Sequence, residues 1–359
     1  MLTFNAIMIK AKIRSIVMNV KMLAAVLPLM LISLISCNKK QENSEAVSRD
    51  VFAMDTYMSL KAYGDKAEKA LSEAEKRISE LEGTLSVTSE KSDIWAVNHS
   101  DNEAVTVSDD TVRLIKKAAE VGNDTDGALD ITLYPLLKEW GFTTGDYKIP
   151  DTQTIATFLE NVDYSKIGLN GNEVTLPKNV EIDLGALAKG YTGDEVIDII
   201  KSNGVKSAIV SLGGNVQALG SKPDGSDWRV AVRDPFSPEK DMCIVDISGK
   251  AVITSGNYER FFTGDDGMNY WHILDPKDGY PADNGLVSVT VIGDNGLECD
   301  ALSTALFVCG YDKTVEYLKN HPENDVILVT DERKVYYTSG ISEKFTNISS
   351  MPAEVIDVD

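Results

Sequence analysis

A carboxylate and a hydroxyl stand four residues apart in the second half of the sequence, at Asp300 and Thr304. Apolar residues in the surrounding segment recur at helical spacing, so both oxygen-bearing side chains lie on one face of a predicted helix. Hard oxygen ligands of this kind suit Mg²⁺ or Ca²⁺. Two side chains cannot complete the shell of either ion, so a backbone carbonyl and ligand phosphates would have to supply the rest. Taken alone, the pair is better explained by a dipole-favoured Asp and a back-bonded Thr.

Two glycine-containing segments could bring a ligand close to the backbone. The segment from Asp183 to Gly190 (DLGALAKG) lies between a strand-like VEIDL and an amphipathic helix. Small residues there permit close approach, and amides at a helix N-terminus can meet a phosphate. The segment from Ser211 to Asn215 (SLGGN) follows a buried strand and is more typical of a hairpin or bulge. Neither matches a phosphate-loop or dinucleotide fingerprint, so each is weak evidence alone.

His272 is one of only three histidines, and it lies beside an Asp-Pro turn in a segment rich in aromatic residues and glycine. A lone histidine is more often structural than catalytic. An aromatic, turn-rich stretch is nevertheless the kind of place where proteins hold flat ligands. His272 is therefore a candidate site residue.

The elements that would position these residues follow one another in mixed order. A strand is predicted over 51–63, and helices over 66–81 and 108–122, ending at Gly83 and Gly122. Further helices are predicted at about 192–203, 295–309 and 313–320, the second of these closed by Gly310. Further strands are predicted at 208–212, 228–234, 242–248, 286–293 and 326–331. Because no regular βαβ rhythm occurs, the pattern predicts an α+β fold rather than a doubly wound parallel one.

The charge balance excludes one class of partner. The 359 residues include 35 Lys and Arg against 56 Asp and Glu, for a net charge of −21. A body this acidic repels phosphate backbones, which argues against nucleic acid as a partner. Any phosphate-bearing ligand must be met by a local cation or a helix N-terminus.

The N-terminal region predicts export. An apolar run at 22–36 follows several basic residues and is too short for a confident membrane span, which predicts a signal peptide over 1–36. The run ends in Leu-Ile-Ser-Cys37, which resembles a bacterial lipobox and predicts lipidation of Cys37, with a polar tether over 37–50. The alternative is an ordinary signal followed by a free or buried cysteine. Met18 is an alternative start, and the predicted location is the cell envelope, anchored to a membrane by lipid.

The remaining cysteines are Cys243, Cys299 and Cys309. Their spacing fits no zinc pattern, and an odd number cannot all pair in an oxidising compartment. They are predicted to be small buried apolar residues.

Taken together, the segments resemble the ApbE family of FAD:protein FMN transferases, in order, over about 51–345. The matching segments carry the residues Met54 and Thr56, Gly127 to Phe142, Asp183 to Tyr191, Leu212 to Asn215, Val232 to Pro235, Thr254 to Gly256, His272 to Pro276, Gly279 to Pro281, and Asp300 to Thr304. The resemblance implies one compact catalytic unit, related to the T-fold, with mixed and largely antiparallel sheets flanked by helices. Residues 346–359 would form a C-terminal tail.

The resemblance also implies roles for individual residues. Mg²⁺ would be bound by Asp300, Thr304 and the backbone carbonyl of Ala186. Leu129 stands where a Phe is usual, and Asp55 where many members have Gly. The FAD site would be lined by Met54, Ala128, Leu129, Asp130, Asp183, Lys189 and His272.

The activity implied by the resemblance is Mg²⁺-dependent transfer of FMN from FAD to a threonine or serine hydroxyl of a partner protein, with release of AMP. Implied acceptors are electron-transport subunits of the Rnf and Na⁺-NQR kinds and related FMN-binding domains. His272 is the candidate general base, with Asp300 or a metal-bound water as the alternative. Two other functions stay open: a metal-dependent FAD pyrophosphatase that gives FMN and AMP, and a non-catalytic FAD-binding lipoprotein. The Asp300 and Thr304 pair favours turnover, but it does not separate transfer from hydrolysis.

Overall fold

The computed structural model of the protein describes residues 45–356 and residue 358. The predicted signal peptide, Cys37 and the first part of the predicted tether lie outside the described residues. Of the helices within the described part of the chain, none is long and apolar enough to cross a membrane.

A tight hairpin opens the fold. Strands β1 (Ala46–Ala53) and β2 (Thr56–Tyr63) pair antiparallel. The two residues between them, Met54 and Asp55, have φ of 51° and 56°. Two positive φ values in succession make the turn whose twist matches that of paired strands. The single strand predicted over 51–63 is therefore two strands, and the tether predicted through residue 50 ends earlier. The polar side chains on the exposed face of β1 make this strand resemble a linker in sequence.

The helices are separated by short connections and by runs of strands. They are α1 (Ala67–Leu85), α2 (Asp93–Asn98), α3 (Asp109–Asp124), α4 (Tyr134–Glu139), α5 (Thr152–Leu159), α6 (Gly185–Ser202) and α7 (Gly296–Asn320). The other strands are β3 (Val105–Thr106), β4 (Gly168–Asn170), β5 (Glu173–Thr175), β6 (Ala208–Leu212), β7 (Asn215–Leu219), β8 (Trp228–Asp234), β9 (Ser237–Ile247), β10 (Ala251–Gly256), β11 (Phe261–Thr263), β12 (Asn269–Trp271), β13 (Leu286–Gly293), β14 (Asp325–Thr330), β15 (Val335–Tyr337), β16 (Phe345–Asn347) and β17 (Ala353–Val355).

The main sheet of the described residues has nine strands in the order β1-β2-β6-β7-β10-β13-β14-β15-β17. Its neighbours pair antiparallel except for β15 and β17, which are parallel. Smaller sheets are formed by β16-β9-β8, β3-β5-β4 and β11-β12. The α+β fold with largely antiparallel sheets is thereby confirmed. The predicted C-terminal tail is part of the fold, because β16 and β17 each pair within a sheet.

The main sheet has a hydrophobic core on each face. On β14, Val326 and Leu328 pack into the core that contains α3, α6 and α7. Ile327 and Val329, which alternate with them, pack into a second core formed with β8 and β9. Strand β13 is buried along its whole length. The helices that carry the candidate residues thus rest on a sheet that is fixed from both sides.

Several predicted boundaries differ from the structure. Strands β6, β8 and β13 match the predicted ranges, and Gly310 (φ 79°, ψ 177°) does interrupt α7. Helices α1 and α3 run past the glycines that were expected to end them. The strand-like VEIDL before α6 pairs with no strand of the described part of the chain. Its backbone is held instead by the Asn98 side chain, which donates to the Ile182 carbonyl at 2.9 Å and accepts from the Ile182 amide at 2.8 Å.

The cysteines within the described residues are unpaired. Cys243 and Cys299 are buried, as predicted, while Cys309 is half-buried. Burial raises the pKa of the Cys243 thiol to about 12, so that thiol is inert at neutral pH.

Candidate active site

A cavity of about 820 Å³ lies where α6 and α7 meet the ends of β6, β7 and β10. The hairpin turn at Met54 and Asp55, the loop before α4 and the segment around His272 contribute its other walls. The structure brings together in this cavity all ten site residues predicted within the described part of the chain. These residues are Met54, Ala128, Leu129, Asp130, Asp183, Ala186, Lys189, His272, Asp300 and Thr304.

Helices α6 and α7 touch backbone to backbone beside the cavity. A Cβ atom on Gly190 would lie 2.2 Å from the carbonyl oxygen of Gly296 and 2.6 Å from Cβ of Asp300. The Gly190 amide donates to Oδ2 of Asp300 at 2.7 Å. Glycine at this position therefore allows the N-terminal part of α6 to lie directly against the carboxylate of α7.

Asp300 is a buried carboxylate, with 4% of its surface exposed. Its Oδ1 accepts a hydrogen bond from Nδ2 of Asn215 at 3.0 Å. Burial raises the pKa of Asp300, and the charge of Lys189 together with these hydrogen bonds opposes the shift. A carboxylate in this position is a strong ligand for a cation, because it has left water without gaining an ion pair from any described residue.

Hydroxyl groups lie around Thr304, the second of the predicted metal ligands on α7. Thr304 lies one turn further along α7, and its Oγ1 is 3.2 Å from Oγ of Ser255 on β10. The same Ser255 oxygen is 2.8 Å from Oγ of Ser303. Thr304 therefore faces the cavity within a group of hard oxygen atoms.

The set Ala186, Asp300 and Thr304 fits a divalent cation. The Gly190 amide, four residues after Ala186, donates to Asp300, so the carboxylate lies beside the part of α6 that contains Ala186. A carbonyl oxygen has two lone pairs, so that of Ala186 can accept a ligand in addition to a helical hydrogen bond. Of the residues that the structure describes, no three His, Cys, Asp or Glu side chains form a group able to hold a metal. An ion at this position would accordingly take oxygen from backbone, hydroxyl and ligand as well as from Asp300.

Two side chains lock α6 and α7 in this position. Asp194 of α6 accepts hydrogen bonds from the amides of Gly296 at 2.7 Å and Leu297 at 2.8 Å. These amides begin α7, so Asp194 caps that helix from its neighbour. Burial raises the pKa of Asp194 to about 6, and the two amides oppose that shift. Gln217 of β7 donates to the Gly190 carbonyl at 2.8 Å.

Asp183 and Lys189 place opposite charges at the start of α6. Oδ1 of Asp183 accepts from the Gly185 amide at 2.7 Å. Burial raises the pKa of Asp183, while that hydrogen bond and the charges of Lys189 and Arg260 lower it. The side chain of Lys189 therefore lies near both Asp183 and Asp300, where it can meet a phosphate.

The loop before α4 forms the apolar wall of the cavity. Ala128 and Leu129 are buried. Asp130 accepts from the Thr132 amide at 2.8 Å and from the Tyr164 amide at 3.1 Å. Both of its oxygens are thus used in shaping the loop, and burial raises its pKa.

Met54 lines the cavity from the hairpin turn. Its amide donates to Oε1 of Glu82 at 2.7 Å, and its sulfur accepts from Oγ1 of Thr192 at 3.7 Å. The turn is consequently attached to both α1 and α6, and Met54 packs against the same helix that carries Lys189.

His272 presents one free ring nitrogen. Its Nδ1 lies 3.2 Å from the carbonyl oxygen of Arg260. Because a carbonyl can only accept, Nδ1 carries the hydrogen and Nε2 has the lone pair. Burial, together with the charges of Arg260 and Lys189, lowers the pKa of His272 to about 4. The imidazole is therefore neutral at pH 7 and able to take a proton.

Several residues of the site were not assigned from sequence. Asn215 and Gln217 support the α6–α7 contact, and Ser255 adds a hydroxyl next to Thr304. Asn215 is the last residue of the SLGGN segment and Gln217 lies two residues beyond it; the segment is indeed a hairpin, between β6 and β7. Arg260 also lines the cavity. Their segments stood out in sequence by glycine content, but no spacing rule links an Asn or Ser on one strand to an Asp on a distant helix.

A family model matches this chain over residues 54–328, and its description is the ApbE family. The chain belongs to the ApbE family. The match spans both helices and every wall of the cavity described above.

Relatives and solved structures in the ApbE family agree with this assignment. A Klebsiella pneumoniae protein named FAD:protein FMN transferase is 34% identical over 278 residues, covering 76% of this chain and 86% of the relative. A Treponema pallidum protein of the same name is 31% identical over 293 residues, covering 77% and 81%. The crystal structure of a Thermotoga maritima ApbE protein superposes with a TM-score of 0.78 at 31% identity, covering 84% of this chain and 99% of that one.

Proposed function

We propose that this chain is an FAD:protein FMN transferase, which moves FMN from FAD to a hydroxyl of an acceptor protein and releases AMP. The observation that carries the proposal is the shared cavity. A buried carboxylate with hydroxyl neighbours, a lysine and a neutral imidazole line one space in a member of the ApbE family. The names of the relatives support the same reaction.

The cation and the substrate would share the oxygen-rich end of the cavity. Asp300, Thr304 and the carbonyl of Ala186 would hold Mg²⁺, which when bound would neutralise and orient the pyrophosphate of FAD. Lys189 would donate to the phosphate oxygens from the start of α6. The net charge of −21 makes such local positive charge necessary for an anionic substrate.

His272 would act on the acceptor. Its neutral Nε2 would accept the proton of a threonine or serine hydroxyl as that oxygen attacks the phosphorus attached to the flavin. The new P–O bond forms as the bond to the AMP phosphate breaks, so AMP leaves with the bridging oxygen. His272 holds the proton and later returns it to solvent.

Export and anchoring belong to the same proposal. Lipidation of Cys37 would place the catalytic unit at the membrane surface of the cell envelope. Electron-transport subunits of the Rnf and Na⁺-NQR kinds would be reachable acceptors there. The lipobox-like sequence before Cys37 supports this location.

One experiment separates the three candidate activities. The detergent-solubilised full chain is mixed with FAD, Mg²⁺ and a protein bearing an FMN-attachment sequence, and free nucleotides are quantified beside the intact mass of the acceptor. One AMP released per FMN gained by the acceptor, abolished by EDTA, is the result we expect. Release of both AMP and FMN with an unmodified acceptor would identify a pyrophosphatase. FAD that is bound but intact would indicate a carrier.

A further inference from the structure

Arg260 differs from the other six arginines of the described part of the chain. Five of these, Arg49, Arg77, Arg113, Arg229 and Arg233, lie within ion-pair distance of a carboxylate. The sixth, Arg333, lies 4.3 Å from the ring centroid of Phe236. Among the described residues, the Arg260 guanidinium has no hydrogen-bond, ion-pair or ring partner. It therefore offers five N–H donors in a planar fork to any anion that reaches it.

The position of Arg260 is set by its contacts with His272. The Arg260 carbonyl accepts from the His272 amide at 3.1 Å, and it lies 3.2 Å from Nδ1 of the same residue. The side chain lines the cavity and is exposed to it. After burial, the charge of Arg260 is the largest influence on the His272 pKa. Arg260 thus lies on the imidazole side of the cavity.

Lys189 belongs to the α6 side of the cavity. The next residue along the helix, Gly190, donates its amide to Asp300 at 2.7 Å. The Lys189 backbone therefore lies beside the proposed metal ligands, and the Arg260 backbone lies beside the proposed base. The charges of both side chains influence the pKa values of Asp183 and His272.

We propose that Arg260 binds the phosphate of FAD that stays with the flavin. This inference rests on the proposed function. If His272 takes the proton from the attacking hydroxyl, the phosphate under attack lies on the His272 side, where Arg260 is the unpaired cation. Its fork would donate to the non-bridging oxygens of that phosphate, over which negative charge spreads during transfer. Arg260 stays protonated throughout, so the bonds that form and break are those of the proposed reaction.

Ligand binding tests this assignment without requiring transfer. The affinities of FAD, FMN, AMP and riboflavin are measured by titration calorimetry, in Mg²⁺ buffer, for the full chain and for Arg260→Met. We expect Kd for FAD and FMN to rise by about 10- to 100-fold, because charge-assisted hydrogen bonds to phosphate are lost. The Kd values for riboflavin and AMP should be unchanged. Arg260→Lys should give an intermediate loss, because it keeps the charge without the fork. Arg229→Met is the matched control, since Arg229 lies outside the cavity and is paired with Asp246.

Other patterns of binding would overturn the inference. Weaker binding of AMP with unchanged binding of FMN would mean that Arg260 binds the phosphate that leaves with AMP. Equal losses of affinity for all four ligands, riboflavin included, would mean that Arg260 shapes the cavity rather than binding phosphate. Unchanged affinities for FMN and AMP would mean that Arg260 binds neither phosphate. A wild-type chain that binds neither FAD nor FMN would overturn the proposed function, and this inference with it.

Discussion

Asp300 is placed to bind a cation, and the same placement destabilises the metal-free protein. It is buried, it has no ion-pair partner within residues 45–356, and burial raises its pKa. A raised carboxyl pKa means that the folded state loses stability as pH rises from the unfolded pKa through the folded one. At neutral pH the metal-free protein therefore carries an unfavourable buried charge, which a bound cation would offset.

Asp300→Asn should accordingly separate activity from stability. We expect Mg²⁺-dependent transfer to fall by about 100-fold or more, because the charged ligand is lost. In EDTA, Tm should stay the same or rise, because the buried charge is removed. The Asn oxygen can accept from the Gly190 amide, and the Asn amide can donate to Asn215 once that side chain turns its oxygen toward it. Transfer rates and thermal melts check this, with the exposed Asp198→Asn on α6 as control. A large fall in the metal-free Tm would contradict this explanation.

His272 should set the acid limb of the pH profile. The neutral imidazole is the active form, and the pKa of His272 is lowered to about 4. We therefore expect kcat/KM to rise with pH through about 4 and to be level above about 6. His272→Gln should lower transfer by about 100-fold or more and remove that limb. A limb near the ordinary histidine pKa, or full activity of His272→Gln with intact FAD binding, would show that His272 is not the base.

The residues proposed to bind metal and substrate could be predicted from the sequence, but the residues that hold them in position could not. Asp300 and Thr304 are four apart on one helix, so their shared face follows from helical periodicity alone. Asn215 contacts Asp300 across 85 positions of the chain, and Ser255 contacts Thr304 across 49, each from a separate strand. Only the tertiary fold determines such pairs. Lys189 could be predicted as a phosphate ligand through family resemblance. The free guanidinium of Arg260, in contrast, is visible only when a partner has been assigned to every other arginine of the described residues.

At the scale of elements, the contact between α6 and α7 positions the site. Gly190 lets the helices meet, Asp194 caps α7 from α6, and Gln217 fixes the Gly190 carbonyl. Two of the three proposed metal ligands lie on α7 and the third on α6, so their separation depends on this contact.

Gly190→Ala should therefore disrupt the site, whereas Gly83→Ala should not. The new Cβ would overlap the Gly296 carbonyl, so we expect a loss of about 1–3 kcal/mol in unfolding free energy and loss of transfer. Gly83→Ala in α1 meets nothing within 4 Å and should stabilise the protein by about 0.5–1 kcal/mol, with activity unchanged. Denaturant unfolding and transfer assays distinguish the two. Equal changes in unfolding free energy and transfer rate for the two variants would contradict the role of the close contact between α6 and α7.

The boundaries of strands were predicted correctly where the strand is buried and poorly where the strand is exposed. Strand β13 is largely apolar and is buried throughout, and its predicted range matches. Strand β1 alternates exposed and half-buried residues at the edge of the main sheet, so its polar half resembles a linker. The VEIDL segment has the composition of a strand, but Asn98 takes its hydrogen bonds. Local pattern does not reveal which partner a backbone finds.

At the scale of the whole molecule, an acidic body surrounds a cavity that contains free positive charge. The net charge is −21, yet Lys189 and Arg260 line the cavity without an ion-pair partner among the described residues. This distribution suits one anionic ligand and opposes polyanions such as nucleic acid. The proposed lipid anchor would keep this charged unit at a membrane that it would not otherwise bind.

Cys37→Ser tests the anchor. If Cys37 is lipidated, the variant should move from the membrane fraction to the soluble fraction of the envelope, because acylation supplies the membrane affinity. Fractionation followed by immunoblotting checks this, and Cys309→Ser is the matched control. A Cys37→Ser variant that stays in the membrane fraction would contradict the predicted anchor.

The central claim is that this cavity joins FMN to a protein hydroxyl. The most direct measurement is the intact mass of an acceptor protein after incubation with FAD, Mg²⁺ and either the wild-type chain or Asp300→Asn. We predict that the wild-type chain adds the mass of one FMN and that Asp300→Asn adds none within the same time. An acceptor left unmodified by the wild-type chain, or modified equally by both, would contradict the claim.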